Sequence, residues 1–236
     1  MPAARLAKVI AELERHYGKP PGPLTRDPWE LILLENVLYL ADDQHRAAAF
    51  KALKQKIGFK PQQIMNAPDD ALLSITRMGS IVPFQSAKKL RYISEVAHYI
   101  FQDDLQAAVK LPLNEAKKAL RKFPGLGEPG SEKVLMFAGA HRVLALDSNG
   151  LRVLRRLGWG EEKKSYSAIY RSVKEAVASE LPPSSAGLIR AYQLLRQHGQ
   201  ETCRRNGPLC PECPVRTSCA LFAQGAAKAM AAHSAW

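Results

Sequence analysis

All four cysteines of the 236-residue chain lie in its last sixth, in the pattern Cys203-x6-Cys210-x2-Cys213-x5-Cys219. No upstream cysteine can pair with them. Four thiols gathered this closely suit a metal centre better than two disulfides in a reducing compartment. The pattern has one close pair flanked by single cysteines, whereas structural zinc sites usually present two close pairs. The spacing therefore favours a cubane [4Fe-4S] cluster over zinc, with disulfides or idle thiols as the remainder. Arg204 and Arg205 stand in the first loop, where ligation would fix the backbone and aim their guanidinium groups at phosphates; two solvated arginines are the plain alternative.

The charge balance points the same way. With 34 Lys and Arg against 22 Asp and Glu, the chain carries a formal +12 at pH 7, which favours a polyanionic partner such as nucleic acid. The N-terminal residues MPAARLAKVIAELERHYGKP carry charges every few positions, and no stretch approaches the length of a membrane span. The expectation is a cytoplasmic, nucleoid-associated monomer with no membrane partner.

Helical patterning runs throughout and strand signals are scarce, so the predicted fold is all-α. Leu6, Val9, Ile10 and Leu13 recur at helical spacing before the prolines at 20, 21 and 23. Asp27-Pro28-Trp29-Glu30 reads as a capped start with a capping box. The helix it opens continues through LILLENVLYLA, apolar on nearly every face, and carries Glu35 and Asn36 inward. Further helices are predicted over 44–56, 69–77, 86–102, 114–122 and 131–140. Beyond the apolar run 143–146 come helices through LRVLRRL, SYSAIYRSVKEAVASEL and SSAGLIRAYQLLRQH, the last ended by Gly199. Residues 221–236 read as a frayed tail.

The segment Phe123-Pro-Gly-Leu-Gly127 places Pro-Gly-x-Gly between two helical patterns. Gly125 and Gly127 permit a tight turn whose backbone N–H groups, with the following helix N-terminus, face a phosphate without reading sequence. Taken with Asp147 twenty residues on and with the cysteine spacing, this resembles the helix-hairpin-helix DNA glycosylases of the endonuclease III and adenine-mismatch type. The resemblance covers roughly residues 1–220. It implies two helical domains with a DNA-binding groove between them: a six-helix barrel domain over 28–141 containing the hairpin, and an iron–sulfur domain over 142–220 completed by residues 1–27. Its partner would be double-stranded DNA containing a damaged or mismatched base.

In such an enzyme the base is flipped from the duplex and its glycosidic bond broken through an oxocarbenium-like sugar, which calls for a stabilising anion and a proton for the leaving base. Asp147 matches the family's essential aspartate; alone it would read as a helix cap. Glu35, in LENVLYLAD, falls on the catalytic glutamate of the adenine-mismatch branch. Burial in its apolar run suits a proton donor or water-positioning group, and pairing with a basic side chain is the alternative. Asp147-Ser148-Asn149 is similar to that branch's Asp-Gly-Asn, making Asn149 a supporting or phosphate-contacting residue. Tyr39 falls where relatives place amides near the lesion, and the loop 79–84 offers an apolar wedge.

The chain departs from the lyase pattern. The position two residues past the last hairpin glycine, a lysine in bifunctional relatives, is Pro129. Lys133, one turn later on the same face, is the substitute amine. The expectation is a monofunctional glycosylase using water, with a glycosylase/AP lyase through Lys133 and a non-catalytic binder of damaged or abasic DNA as competing readings. The short segment after the cluster makes adenine opposite 8-oxoguanine an unexpected substrate.

Overall fold

The computed structural model describes residues 6–224. Among them are twelve α-helices: α1 (Leu6–Tyr17), α2 (Pro28–Asn36), α3 (Asp43–Lys56), α4 (Pro61–Met65), α5 (Asp69–Thr76), α6 (Pro83–Glu95), α7 (Leu105–Lys110), α8 (Leu113–Leu120), α9 (Glu128–Phe137), α10 (Ser148–Leu157), α11 (Tyr166–Val177) and α12 (Ser185–Glu201). No strand occurs among the described residues, so the protein is all-α. None of these helices is long and apolar enough to cross a membrane. The chain divides into two compact units, one drawn from both ends of the chain (up to Gly22 and from Arg142 onward), the other Pro23–His141.

In the Pro23–His141 unit, α2 packs against α3, α6, α7 and α9. Its start follows from its sequence: Asp27 caps the helix by accepting from Glu30 N–H at 3.0 Å, and Pro28 occupies the first turn. The expected reciprocal half of a capping box is absent, because the Asp27 N–H donates to Thr25 Oγ1 at 3.1 Å instead. The helix also ends sooner than its apolar run suggests. It stops at Asn36, and the chain bends through residues 37–40, where Leu40 takes φ +53°. Val37 and Leu38 remain buried while Tyr39 and Leu40 turn outward. The apolar run therefore marks the core only as far as Leu38. The predicted 86–102 helix is α6 from Pro83, continued by a π-helical turn over Val96–Ile100.

The hairpin between α8 and α9 is anchored by its apolar residues. Phe123 is buried, stacked on Phe101 with ring centroids 5.2 Å apart, and Leu126 is buried beside it. Gly125, between them, and Gly127, just after Leu126, are left at the surface. Lys117 of α8 crosses to α9 with Nζ 2.6 Å from Glu128 Oε1 and 2.9 Å from Glu132 Oε1. Burial alone would lower the Lys117 pKa; the two carboxylates more than offset it, and the net shift is upward.

In the other unit, α10 and α12 form the main packing pair and α1 lies on α12. Tyr17 hydroxyl contacts His198 Nδ1 at 2.9 Å and Thr202 Oγ1 at 2.7 Å, and burial pulls the His198 pKa down to about 4. Gly199 does not end α12, which runs on to Glu201. Its role is spatial: a Cβ there would stand 2.7 Å from Asn149 Cβ and 2.9 Å from Asn149 O. The run 143–146 is buried but joins no sheet. Of the tail expected to fray, residues 221–224 belong to a helical turn that starts at Ala220, with Arg216 over the Phe222 ring at 5.6 Å; residues 225–236 lie outside the described residues.

Lys117→Met removes the cation between Glu128 and Glu132, of which Glu132 is 4% exposed. Taking that cation away from a buried carboxylate lowers stability by about 3 kcal/mol; urea denaturation of wild type and variant measures the difference.

Candidate functional site

Three groups of side chains carry chemistry. The first lies in the Pro23–His141 unit, around a cavity of about 260 Å³. Glu35 and Asn36 at the end of α2, Tyr39 in the following bend, and Gln85, Ser86 and Lys89 on α6 form its walls. A cavity of this volume has room for a flat group the size of a nucleobase. Glu35 is three-quarters buried and is ion-paired, with Lys133 Nζ of α9 2.5 Å from its Oε1. Of the two environments open to Glu35, the fold thus supplies the pair rather than an isolated apolar pocket. Pairing a carboxylate at the protein interior requires such a cation. Asn36 is buried and donates to Ile32 O at 2.8 Å. Tyr39 is half exposed on the rim, and its carbonyl accepts from Ile81 N–H at 3.4 Å, joining the 37–40 bend to the 79–82 loop. Leu40, Ile81 and Phe84 are exposed there as well.

The hairpin borders the same unit's cavity through Lys89. Gly125 adopts φ +79°, and a Cβ on it would stand 2.4 Å from Lys89 Nζ. Gly127 is the N-cap of α9, and Pro129 lies in that helix's first turn. A helix N-terminus presents N–H groups without intrahelical acceptors; Pro129 removes one of them and carries no amine.

The second group is centred on Asp147, the N-cap of α10. Its Oδ1 accepts from Gly150 N–H at 2.7 Å; its Oδ2 accepts from Asn149 Nδ2 at 3.1 Å and lies 3.3 Å from Arg196 Nε of α12. Asn149 thus sits between Asp147 and Arg152, from whose Nη2 its Oδ1 accepts at 2.8 Å. Tyr166 lies near enough that burial, then the Asp147 charge, raise its phenol pKa. Neither Arg196 nor Tyr166 was marked by any sequence pattern: they stand on other helices, and only the packing of α10 on α12 brings Arg196 to Asp147.

The third group is the cysteine segment. Cys203, Cys210, Cys213 and Cys219 all line one cavity of about 320 Å³, together with apolar side chains including Leu209, Leu221 and Phe222. All four are free thiols. Among the described residues no three acidic, histidine or cysteine side chains converge tightly enough to hold a single metal ion. Four thiols lining one cavity are the donor set that a thiolate-held cluster calls for. Burial pushes the Cys213 thiol up to about 11 and raises Cys219 as well, so ligation would have to displace their protons. Arginines of α10 hold the start of this segment. Arg152 Nε donates to Cys203 O at 2.9 Å, and Arg156 donates to Arg204 O at 2.7 Å and Arg205 O at 3.2 Å. The side chains of Arg204 and Arg205 are exposed.

Residues 41–179 match the model of the HhH-GPD superfamily base excision DNA repair proteins. Endonuclease III of Sulfolobus acidocaldarius is 26% identical over 199 residues, covering 84% of each chain. Thymine-DNA glycosylase of Aeropyrum pernix is 22% identical over 221 residues, covering 92% of this chain and 94% of that one. A solved trapped covalent intermediate of endonuclease III with DNA superposes with TM-score 0.70 at 18% identity, covering 94% of this chain and 98% of that one. The chain belongs to the HhH-GPD superfamily, as a base excision repair glycosylase of endonuclease III type.

Gly125→Ala places a side chain in the left-handed region and against Lys89. The variant unfolds at lower denaturant than wild type, by about 1–2 kcal/mol from backbone strain, and a normal urea curve contradicts this reading of the turn.

Proposed function

We propose that the protein excises a damaged or mismatched base from duplex DNA by hydrolysis, with Glu35 and Asp147 as its catalytic carboxylates. The observation that carries this reading is the position of Glu35: a carboxylate held by a cation in the wall of a base-sized cavity, in the same unit as the hairpin. An ion-paired carboxylate suits orienting water and accepting its proton, the second of the two roles the sequence suggests for Glu35. Asp147, fixed by Gly150, Asn149 and Arg196, supplies the anion for the developing sugar cation.

The remaining contacts serve to present the nucleotide. The N-terminal end of α9 with Gly125 and Gly127 faces a phosphate, as do Arg204 and Arg205. Leu40 and Ile81, exposed on the two joined loops, fill the stack vacated by the flipped base. The absence of an amine at position 129 supports displacement of the base by water. The binding-only reading has no comparable support, since a binder needs no carboxylate in the cavity wall.

The cysteine cavity is the place for a [4Fe-4S] cluster, held by Cys203, Cys210, Cys213 and Cys219. When bound, the cluster supplies four metal–thiolate bonds that close the segment carrying Arg204 and Arg205.

Two outcomes are expected. On any duplex of a lesion panel that wild type processes, Glu35→Gln and Asp147→Asn each lower single-turnover base release by about 10²-fold or more, while affinity for the same duplex stays close to wild type. Undiminished base release in both variants removes the assignment. Iron and sulfide analysis finds equal amounts of each in the anaerobically purified protein, and Cys213→Ser loses most of both; a stoichiometric zinc content with little iron contradicts the cluster.

A further inference from the structure

Resting on the reading of the Glu35 cavity as the nucleotide pocket, we propose that Lys89 is the amine of an abasic-site lyase activity, placed in the pocket from α6 rather than from the hairpin. Three observations on the structure carry it. Lys89 is part of the cavity wall that contains Glu35, whereas Lys133 is not. Its Nζ rests against the hairpin turn, 2.4 Å from where a Gly125 Cβ would stand, so the amine reaches the turn beyond which relatives carry their lysine. Among the described residues no carboxylate pairs with it, while Lys133 is held 2.5 Å from Glu35 Oε1. Nucleophilic attack needs a free amine lone pair, which an ammonium locked against a carboxylate does not offer. Burial also holds Lys89 below the ordinary lysine range.

The chemistry balances without an added oxidant or reductant. The Lys89 Nζ lone pair adds to the C1′ aldehyde carbon of a ring-opened abasic sugar, and water leaves to form a protonated imine. A base takes a proton from C2′, the Glu35 carboxylate being the one in the wall. The C3′–O bond then breaks with its electron pair going to the departing 3′ phosphate oxygen. Water hydrolyses the imine, returning the amine and releasing an unsaturated aldehyde on the cut strand. This step acts on the product of base release and is separate from it, because water and not Lys89 has already displaced the base.

The test uses the full-length protein with a duplex carrying one preformed abasic site and sodium borohydride, which reduces the imine to a stable amine. Base release plays no part in this assay, so its failure leaves the hydrolytic reading to be judged separately on a lesion duplex. Wild type is expected to form a covalent adduct, and proteolysis with mass mapping places the DNA on Lys89. Lys89→Arg keeps the positive charge but forms no stable imine, and trapping falls by at least about tenfold. An adduct mapped to Lys133 or another residue, trapping undiminished in Lys89→Arg, or no adduct from wild type that binds the abasic duplex each overturns the proposal. The mapping on wild type decides the matter even if the variant folds poorly.

Discussion

A guanidinium drawn out of water has to find acceptors for its donors, and Arg152 of α10 finds them in three separate parts of its unit. It donates to Asn149 Oδ1 at 2.8 Å, to Gly199 O at 2.6 Å and to Cys203 O at 2.9 Å. Partial burial is the largest influence on its pKa and lowers it from the usual arginine value. Through Asn149 it bears on Asp147; through Gly199 it ties down α12, whose Arg196 reaches the same carboxylate; through Cys203 it fixes where the cysteine segment begins. The close approach of Gly199 to Asn149 is what permits this convergence, since any side chain there would collide with the Asn149 backbone. The site carboxylate and the cysteine cavity therefore share a single support, and the cluster proposed there would complete a segment already anchored at one end.

The Pro23–His141 unit solves a different problem, that of placing acids and amines near one another without losing the fold. Lys117 neutralises Glu128 and Glu132 beside the hairpin, and Lys133 neutralises Glu35 at the cavity. Lys117 thus holds two carboxylates and Lys133 one, where buried charge without a counter-ion would be costly. Lys89 stands apart as a half-buried cation with no acidic partner among the described residues, on the boundary between cavity and turn. With Pro129 at the start of α9, the unit holds two lysines by its cavity: Lys133, paired with Glu35, and Lys89 in the wall.

Much of this was legible in the sequence where a local rule governs the outcome. The Asp27 and Asp147 caps, the Pro-Gly-x-Gly turn and the clustering of the four cysteines follow from residue type and spacing. The failures share a cause: they depend on contacts between residues distant in sequence. The end of α2 at Asn36 is invisible in an unbroken apolar run, because Val37 and Leu38 stay in the core after the helix has ended. Gly199 reads as a stop signal, yet it is a packing contact with Asn149. The pairing of Glu35 with Lys133 spans 98 residues, and that of Arg196 with Asp147 spans 49. Lys89 is one of two adjacent lysines in SAKKLRYI, and only the fold separates the exposed one from the one in the cavity wall.

The most direct test of the account is a single-turnover time course on a processed lesion duplex, in which free base and strand breaks are measured in the same samples without alkali. If water displaces the base and an amine acts only on the abasic product, free base appears first and strand breaks lag behind it. If free base and strand breaks rise together at every time point, the amine itself displaces the base, and the hydrolytic role assigned to Glu35 and Asp147 is contradicted.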